Sequence, residues 1–116
     1  MSCRRIQDYK FGRIIIDGHT YTSDVIVHAQ GVEPNWWRAH VHILGLEDLK
    51  PIYDQDPEVL VVGSGAFGMM VVAEETLGEL RRRNIQVVVE RTEGACQIYS
   101  QMSSLVRAVA ALHLTC

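Results

Sequence analysis

The chain has 116 residues, 47% of them hydrophobic and 22% charged, with a formal net charge of −3. That length builds one ordinary core, so a single domain over residues 1–116 is expected. The acidic balance excludes a general nucleic-acid binder, which needs a basic face.

Three cysteines, Cys3, Cys96 and Cys116, lie far apart and form no C-x-x-C pair. A sparse, odd set suits a reducing cytosol better than a disulfide framework. "MSCRRIQDYKFG" lacks the apolar core of a signal peptide, and no apolar run reaches the length of a membrane span. The expected location is therefore cytoplasmic, with no membrane partner.

In chain order, "GRIIIDGHTYTS" holds two β-type runs around Asp17-Gly18, a hairpin signal because both residues tolerate positive φ. "DVIVHA" is a third short strand, closed by Gln30-Gly31. "VEPNWWRAHVHI" reads as extended after Pro34, and "LEDLKPIYDQDPE" as a short helical turn that Pro51 limits. The second half alternates. "EVLVVG" and "IQVVVE" are apolar runs of the kind covered on both faces. Between them "EETLGELRRRN" is an amphipathic helix, with acids at the front, Arg81-Arg82-Arg83 at the dipole's negative end and Asn84 as the stop. Thr92 is expected to cap a helix whose Ala95, Ile98, Tyr99 and Met102 share one face. "LVRAVAALHL" supplies the last strand. The fold class is α/β: a small three-layer domain whose parallel or mixed sheet comes from a C-terminal βαβαβ unit plus N-terminal hairpin strands.

Gly63-x-Gly65-x-x-Gly68 follows a buried strand and spells the dinucleotide-binding turn. That turn needs a helix opening at its second or third glycine, so that free amides face a pyrophosphate. Here "GMMVVA" separates Gly68 from the first helical stripe, and Val71-Val72 starts helices poorly. The preferred reading is a tight strand-exit loop with no cofactor. The alternative is a nucleotide or small-molecule site at Gly63, Ser64, Gly65 and Gly68. Ser64 directly follows its glycine, so the G-x-S-x-G nucleophile elbow is absent. "FGMMVV" either returns to the core as a short strand or presents Phe67, Met69 and Met70 to a partner.

Trp36 and Trp37 alternate faces if extended, one packing inward and the other lining a groove with Arg38. His40 and His42 would share a face, yet two imidazoles are too few for zinc. The remote His113 and Cys116 complete a possible cleft with Trp36, Trp37 and His42. No metal is expected. Cys116 with His113 forms a poor nucleophile–base pair, because the sequence shows no acid placed to orient the imidazole. No catalytic residue is assigned, and the enzyme question leans to no.

The order of "FGRIIIDGHTY", the tryptophan segment with His42 beyond it, "LVVGSGAFG", "NIQVVVERTEGACQIYSQM" and the closing "HLTC" resembles the small Mth-domain family. That family includes a mitochondrial respiratory complex I assembly factor, an adipogenesis-associated Mth domain protein and many uncharacterised archaeal and bacterial chains. Asn84 stands where the family often has glycine, and Ala73 where it commonly has a proline opening the helix. The resemblance implies a three-layer α/β domain with a β-rich N-terminal part and no established catalytic activity. The expected function is a non-enzymatic protein-binding or assembly-factor-like module, with an unidentified protein partner or self-association through a strand edge.

Overall fold

The computed structural model describes residues 6–116. Cys3 lies outside the described residues. Three strands open the chain: β1 (Ile6–Lys10), β2 (Arg13–Ile16) and β3 (His19–Tyr21), paired in that order as an antiparallel sheet. Asp17 and Gly18 turn β2 into β3 with φ of 50° and 80°, the left-handed pair of a type I′ hairpin. β4 (Val25–His28) and β5 (Gly31–Glu33) form the next hairpin.

The second half builds β7 (Val59–Gly63), α2 (Glu74–Arg82), β9 (Gln86–Glu90), α3 (Thr92–Met102) and β10 (Ala108–Leu112). With the β4–β5 hairpin these give a five-stranded mixed sheet ordered β5-β4-β10-β7-β9. β10, β7 and β9 run parallel, and β4 joins antiparallel to β10. "VLVVG" and "AVAAL" are buried along their whole length, which is why they read as unbroken apolar runs.

Side chains alternate between two cores. Val59, Val61, Ala108, Ala110 and Leu112 face α3 and the N-terminal sheet, joining Ile14, Ile16, Ala95 and Tyr99. Leu60, Val62, Val109 and Ala111 face the other way, towards Leu80 of α2, Ile52, Trp36, Leu44, Met70 and Val72. Each fully buried aliphatic side chain contributes about 1.5–3 kcal/mol relative to exposure. The chain passes from β7 to its neighbour β9 through α2, then returns through α3 to the opposite flank of β7. The helices consequently cover opposite faces. Strand order reverses between β7 and β10, the position at which open α/β sheets offer a crevice at their carboxyl ends.

Two local expectations change. Pro51 occupies the first turn of α1 (Lys50–Tyr53), where a missing N–H costs nothing, so it starts that helix instead of limiting it. Residues 34–40 are irregular, not an extended strand. The chain turns back at His40, whose carbonyl accepts from Ile43 N, before β6 (Ile43–Leu44). β6 pairs in parallel with β8 (Val71–Val72). α2 then begins at Glu74, with Ala73 extended ahead of it.

α2 stops as its sequence suggests. Asn84 adopts φ of 60° while its N–H reaches Arg81 O and Ile85 N reaches Leu80 O, a Schellman closure that buries Leu80 beside Ile85. Asn84→Val should cost about 1–2 kcal/mol through left-handed strain, whereas Asn84→Gly should stay within about 0.5 kcal/mol of the parent. Urea denaturation midpoints check both.

Candidate functional site

The glycine turn leaves the carboxyl end of β7 at that reversal point. Gly63 is held by close packing, because a Cβ there would lie 2.9 Å from both Leu112 Cδ2 and Thr92 Oγ1. Gly65 (φ 106°) and Gly68 (φ 71°) make the left-handed bends. A Cβ on Gly65 would overlap the main chain of Cys116. The segment Leu114–Cys116 thus lies in the crevice where a ligand would sit in a dinucleotide fold.

The chain itself takes every amide of the turn. Ser64 N donates to Glu90 O (2.8 Å), and Gly65 N to Thr92 Oγ1 (2.8 Å). Ala66 N donates to Thr115 O (2.7 Å), while Phe67 N and Met69 N share Cys116 O (3.3 and 3.0 Å). Gly68 N returns to Gly65 O and Met70 N to Ser64 O. With α2 starting only at Glu74, the turn has no free N–H left for a phosphate. Thr92 differs from its expected part. It lies within α3, behind Arg91 at the cap, and its hydroxyl donates to His113 O (2.6 Å) while accepting from Gly65. A predicted cap is instead the rivet between the turn and the end of β10.

Beneath this turn lies a buried polar centre. Asp24 Oδ2 accepts from His113 Nδ1 (2.7 Å) and Arg38 Nη2 (2.8 Å), and its Oδ1 accepts from Leu114 N (2.8 Å). Arg38 also donates through Nε and Nη2 to Val41 O (3.2 and 2.8 Å) and stacks 4.6 Å above the Trp36 ring. Its side chain is only 2% exposed. His42 meets His113 edge-on at 5.5 Å. Three buried polar atoms here, His113 Nε2, Arg38 Nη1 and Trp36 Nε1, have no partner among the described residues. With Nδ1 turned to Asp24, Nε2 is the ring nitrogen left open.

The structure therefore brings Trp36, His42 and His113 to one place, with the main chain of Cys116 close by, and leaves Trp37 exposed. It also corrects the expectation that no acid orients His113, because Asp24 does so. Sequence reasoning missed Asp24. The available signal was an acid immediately ahead of the wholly buried "VIVH". His40 is exposed, and the irregular backbone on either side of it does not form the strand that would have aligned it with His42. Among the described residues no three His, Cys, Asp or Glu side chains cluster as a metal site. Cys96 is buried in the core on the inner face of α3.

Above the centre, "FGMMVV" alternates. Phe67, Met69 and Val71 are 63%, 53% and 61% exposed, while Met70 and Val72 are 2% and 8% exposed. Met70, grouped by sequence with the partner-facing residues, is a core residue, because an extended segment sends successive side chains to opposite sides. Phe11 stands 6.0 Å from Phe67, ring to ring, and Ile43 is the register partner of Val71. Phe11, Phe67, Met69, Val71 and Ile43 form an exposed apolar stripe.

A family model for proteins of unknown function, DUF498/DUF598, matches residues 6–114. The chain belongs to the DUF498/DUF598 family. A conserved hypothetical protein of Pyrococcus horikoshii, PH1505, is similar at 25% identity, with a TM-score of 0.84 over 97% of this chain and 99% of that one. A structure described as MT938 shares 26% identity, with a TM-score of 0.78 over 97% and 99%. A Bordetella pertussis protein described as a Mth938-like domain shares the fold at 18% identity and a TM-score of 0.70, over 96% and 85%. Comparison with curated proteins finds no match. Among the described residues no helix is long and apolar enough to cross a membrane.

In this DUF498/DUF598 member, Asp24→Ala should lower stability by about 3–5 kcal/mol, since it strands a buried guanidinium. Asp24→Asn, which keeps the acceptor for Leu114 N, should cost less. A loss under about 1 kcal/mol in urea would show that the centre contributes little. Alkali should unfold the protein through a second group. Burial pushes the Cys96 thiol from 9.0 up to about 12, and burial likewise raises the hydroxyls of Tyr9 and Tyr53. Above about pH 9 the unfolded chain releases protons that the folded one retains, so stability falls as pH rises. Cys96→Ala should flatten that slope, as read from denaturation midpoints at pH 8 to 11.

Proposed function

We propose that this DUF498/DUF598 protein is a non-enzymatic docking module of the cytoplasm, a single domain that binds another protein through the stripe of Phe11, Ile43, Phe67, Met69 and Val71. The observation that carries this reading is the alternation in "FGMMVV", which fixes Met70 and Val72 in the core and turns Phe67, Met69 and Val71 outward. Apolar side chains on so firmly anchored a segment suit burial against an apolar face of a partner. The resemblance to the Mth-domain family, with its complex I assembly factor, supports a role in assembly.

The competing reading is a nucleotide or other small-molecule site at Gly63, Ser64, Gly65 and Gly68. It requires release of Leu114–Cys116, because the turn's amides are engaged by the chain. Leu114 is itself secured, with its carbonyl accepting from Gly12 N (2.9 Å) and Tyr9 Oη (2.8 Å) and its N–H donating to Asp24.

A photo-cross-linking residue at position 67 should capture one protein in stoichiometric amount from native lysate. The same residue at Leu105, more exposed but on the α3–β10 connection, should not. Met69→Asp should abolish capture at 67 while leaving the circular dichroism spectrum and urea midpoint unchanged, since Met69 is exposed. Equal capture at both positions, or capture indifferent to Met69→Asp, refutes the docking face. Capture of the chain by itself would make the partner a second copy.

A further inference from the structure

At the opposite end of the sheet, at the amino ends of β7 and β10, a partly enclosed cavity of about 330 Å³ opens to solvent. It lies outside the docking stripe, and nothing in the function proposed above uses it. Its walls come from four elements: the β4–β5 turn, the approach to β7, the end of α3 and the connection into β10. Tyr99, Val106 and Ala108 supply apolar wall. Glu58 and Arg107, of opposite charge, stand together at the mouth, joined by a hydrogen bond from Arg107 N to Glu58 Oε1 (2.8 Å). Arg107 is steadied on its other side by the Asp56 carbonyl and carboxylate.

The capacity left over defines the occupant. Glu58 keeps one carboxylate oxygen, and Arg107 keeps Nη1, without a partner among the described residues. The side-chain amides of Gln30 and Gln55 also face the cavity. His28 has no such capacity, because Nε2 donates to Glu33 (2.8 Å) and Nδ1 accepts from Gln30 N. The cavity thus has an apolar interior small enough for a side chain or single ring, and its mouth carries Glu58 and an Arg107 whose Nη2 pairs with Asp56 while Nη1 stays open. Its volume falls at the lower end of the range for small-molecule sites.

We propose that this cavity binds a small zwitterion with an apolar body, of the class of the apolar α-amino acids. Glu58 takes the ammonium, Arg107 takes the carboxylate, and the side chain enters the cavity beside Tyr99 and Val106. Charge complementarity makes the case: a simple acid would have Glu58 and Asp56 repelling its carboxylate, and a simple amine would leave Arg107 Nη1 unused. An apolar body without charges would strip water from both ions without replacing it.

L-leucine and L-phenylalanine are the probes, with isocaproate and isoamylamine as analogues lacking one charge each. At a concentration about ten times its dissociation constant, a ligand raises the folding equilibrium constant about elevenfold, which moves Tm by about 5 °C. That shift is expected with the amino acids and not with the single-charge analogues. Amide shifts in NMR should fall on Ala108, Val109 and Gln30 and spare Phe67 and Met69. Glu58→Gln and Arg107→Gln, both at exposed positions, should each abolish the response, and Val106→Trp should block it by filling the cavity. A flat response from every probe, equal responses to leucine and its single-charge analogues, or shifts centred on the glycine turn would each overturn the proposal.

Discussion

The Asp24 carboxylate ties together three stretches of chain that are distant in sequence. Its two oxygens receive Arg38 from the irregular 34–40 segment, and His113 and Leu114 from beyond β10, while its own carbonyl accepts from Trp36 N. Three charge-assisted or polar bonds converge on a side chain with little access to water. Such a centre is an expensive way to stabilise a protein, since removing ions from water offsets much of their attraction. What it provides is register. The last residues cannot slide along the glycine turn without breaking Leu114 N–Asp24, and the tryptophan segment cannot lift away without exposing Arg38.

From that register follows the state of the crevice. In an open α/β sheet the reversal of strand order creates a cleft whose floor is a turn of free amides. Here the same topology and nearly the same glycine spacing are present, but the floor is already roofed. Thr115 and Cys116 oxygens accept from Ala66, Phe67 and Met69, occupying the place an anionic ligand would take. Glycine at 65 is required by the close approach of the chain's own main chain, and this accounts for the motif without a cofactor. The late start of α2 belongs to the same arrangement, because residues 69–72 are spent on the tail's hydrogen bonds and on pairing with β6 before any helix can form.

Much of the fold was legible because its signals are local. The Asp17-Gly18 hairpin, the unbroken apolar runs of β7 and β10, the stop at Asn84 and the start of α2 at Glu74 each depend on residues within a few positions of one another. What was not legible depends on pairing at a distance. Asp24 and His113 are separated by 89 positions, and no periodicity links them. The hydroxyl of Thr92 looked like a helix cap because threonine before an apolar stripe usually is one. The competing donor, Gly65 N, and the acceptor His113 O come within reach only once β10 has been laid beside β7. The pairing of β6 with β8 was invisible for the same reason, although Val71-Val72 already argued against a helix.

The buried centre and the exposed stripe are two sides of one segment. Met70 and Val72 can anchor in the core only because the backbone from Met69 to Ala73 is extended, and that backbone must then turn Met69 and Val71 outward, while Phe67 is presented by the turn ahead of Gly68. The tail that fixes Met69 N is the tail that Asp24 holds. Loosening the Asp24 centre would therefore blur the presentation of the stripe before it unfolded the sheet, since β7 and β10 keep their own pairing. A surface whose geometry is set by a buried ion cluster is rigid in advance, so under the docking proposal binding would lose little conformational entropy. Five apolar side chains on such a base can contribute more to association than the same residues on a mobile loop.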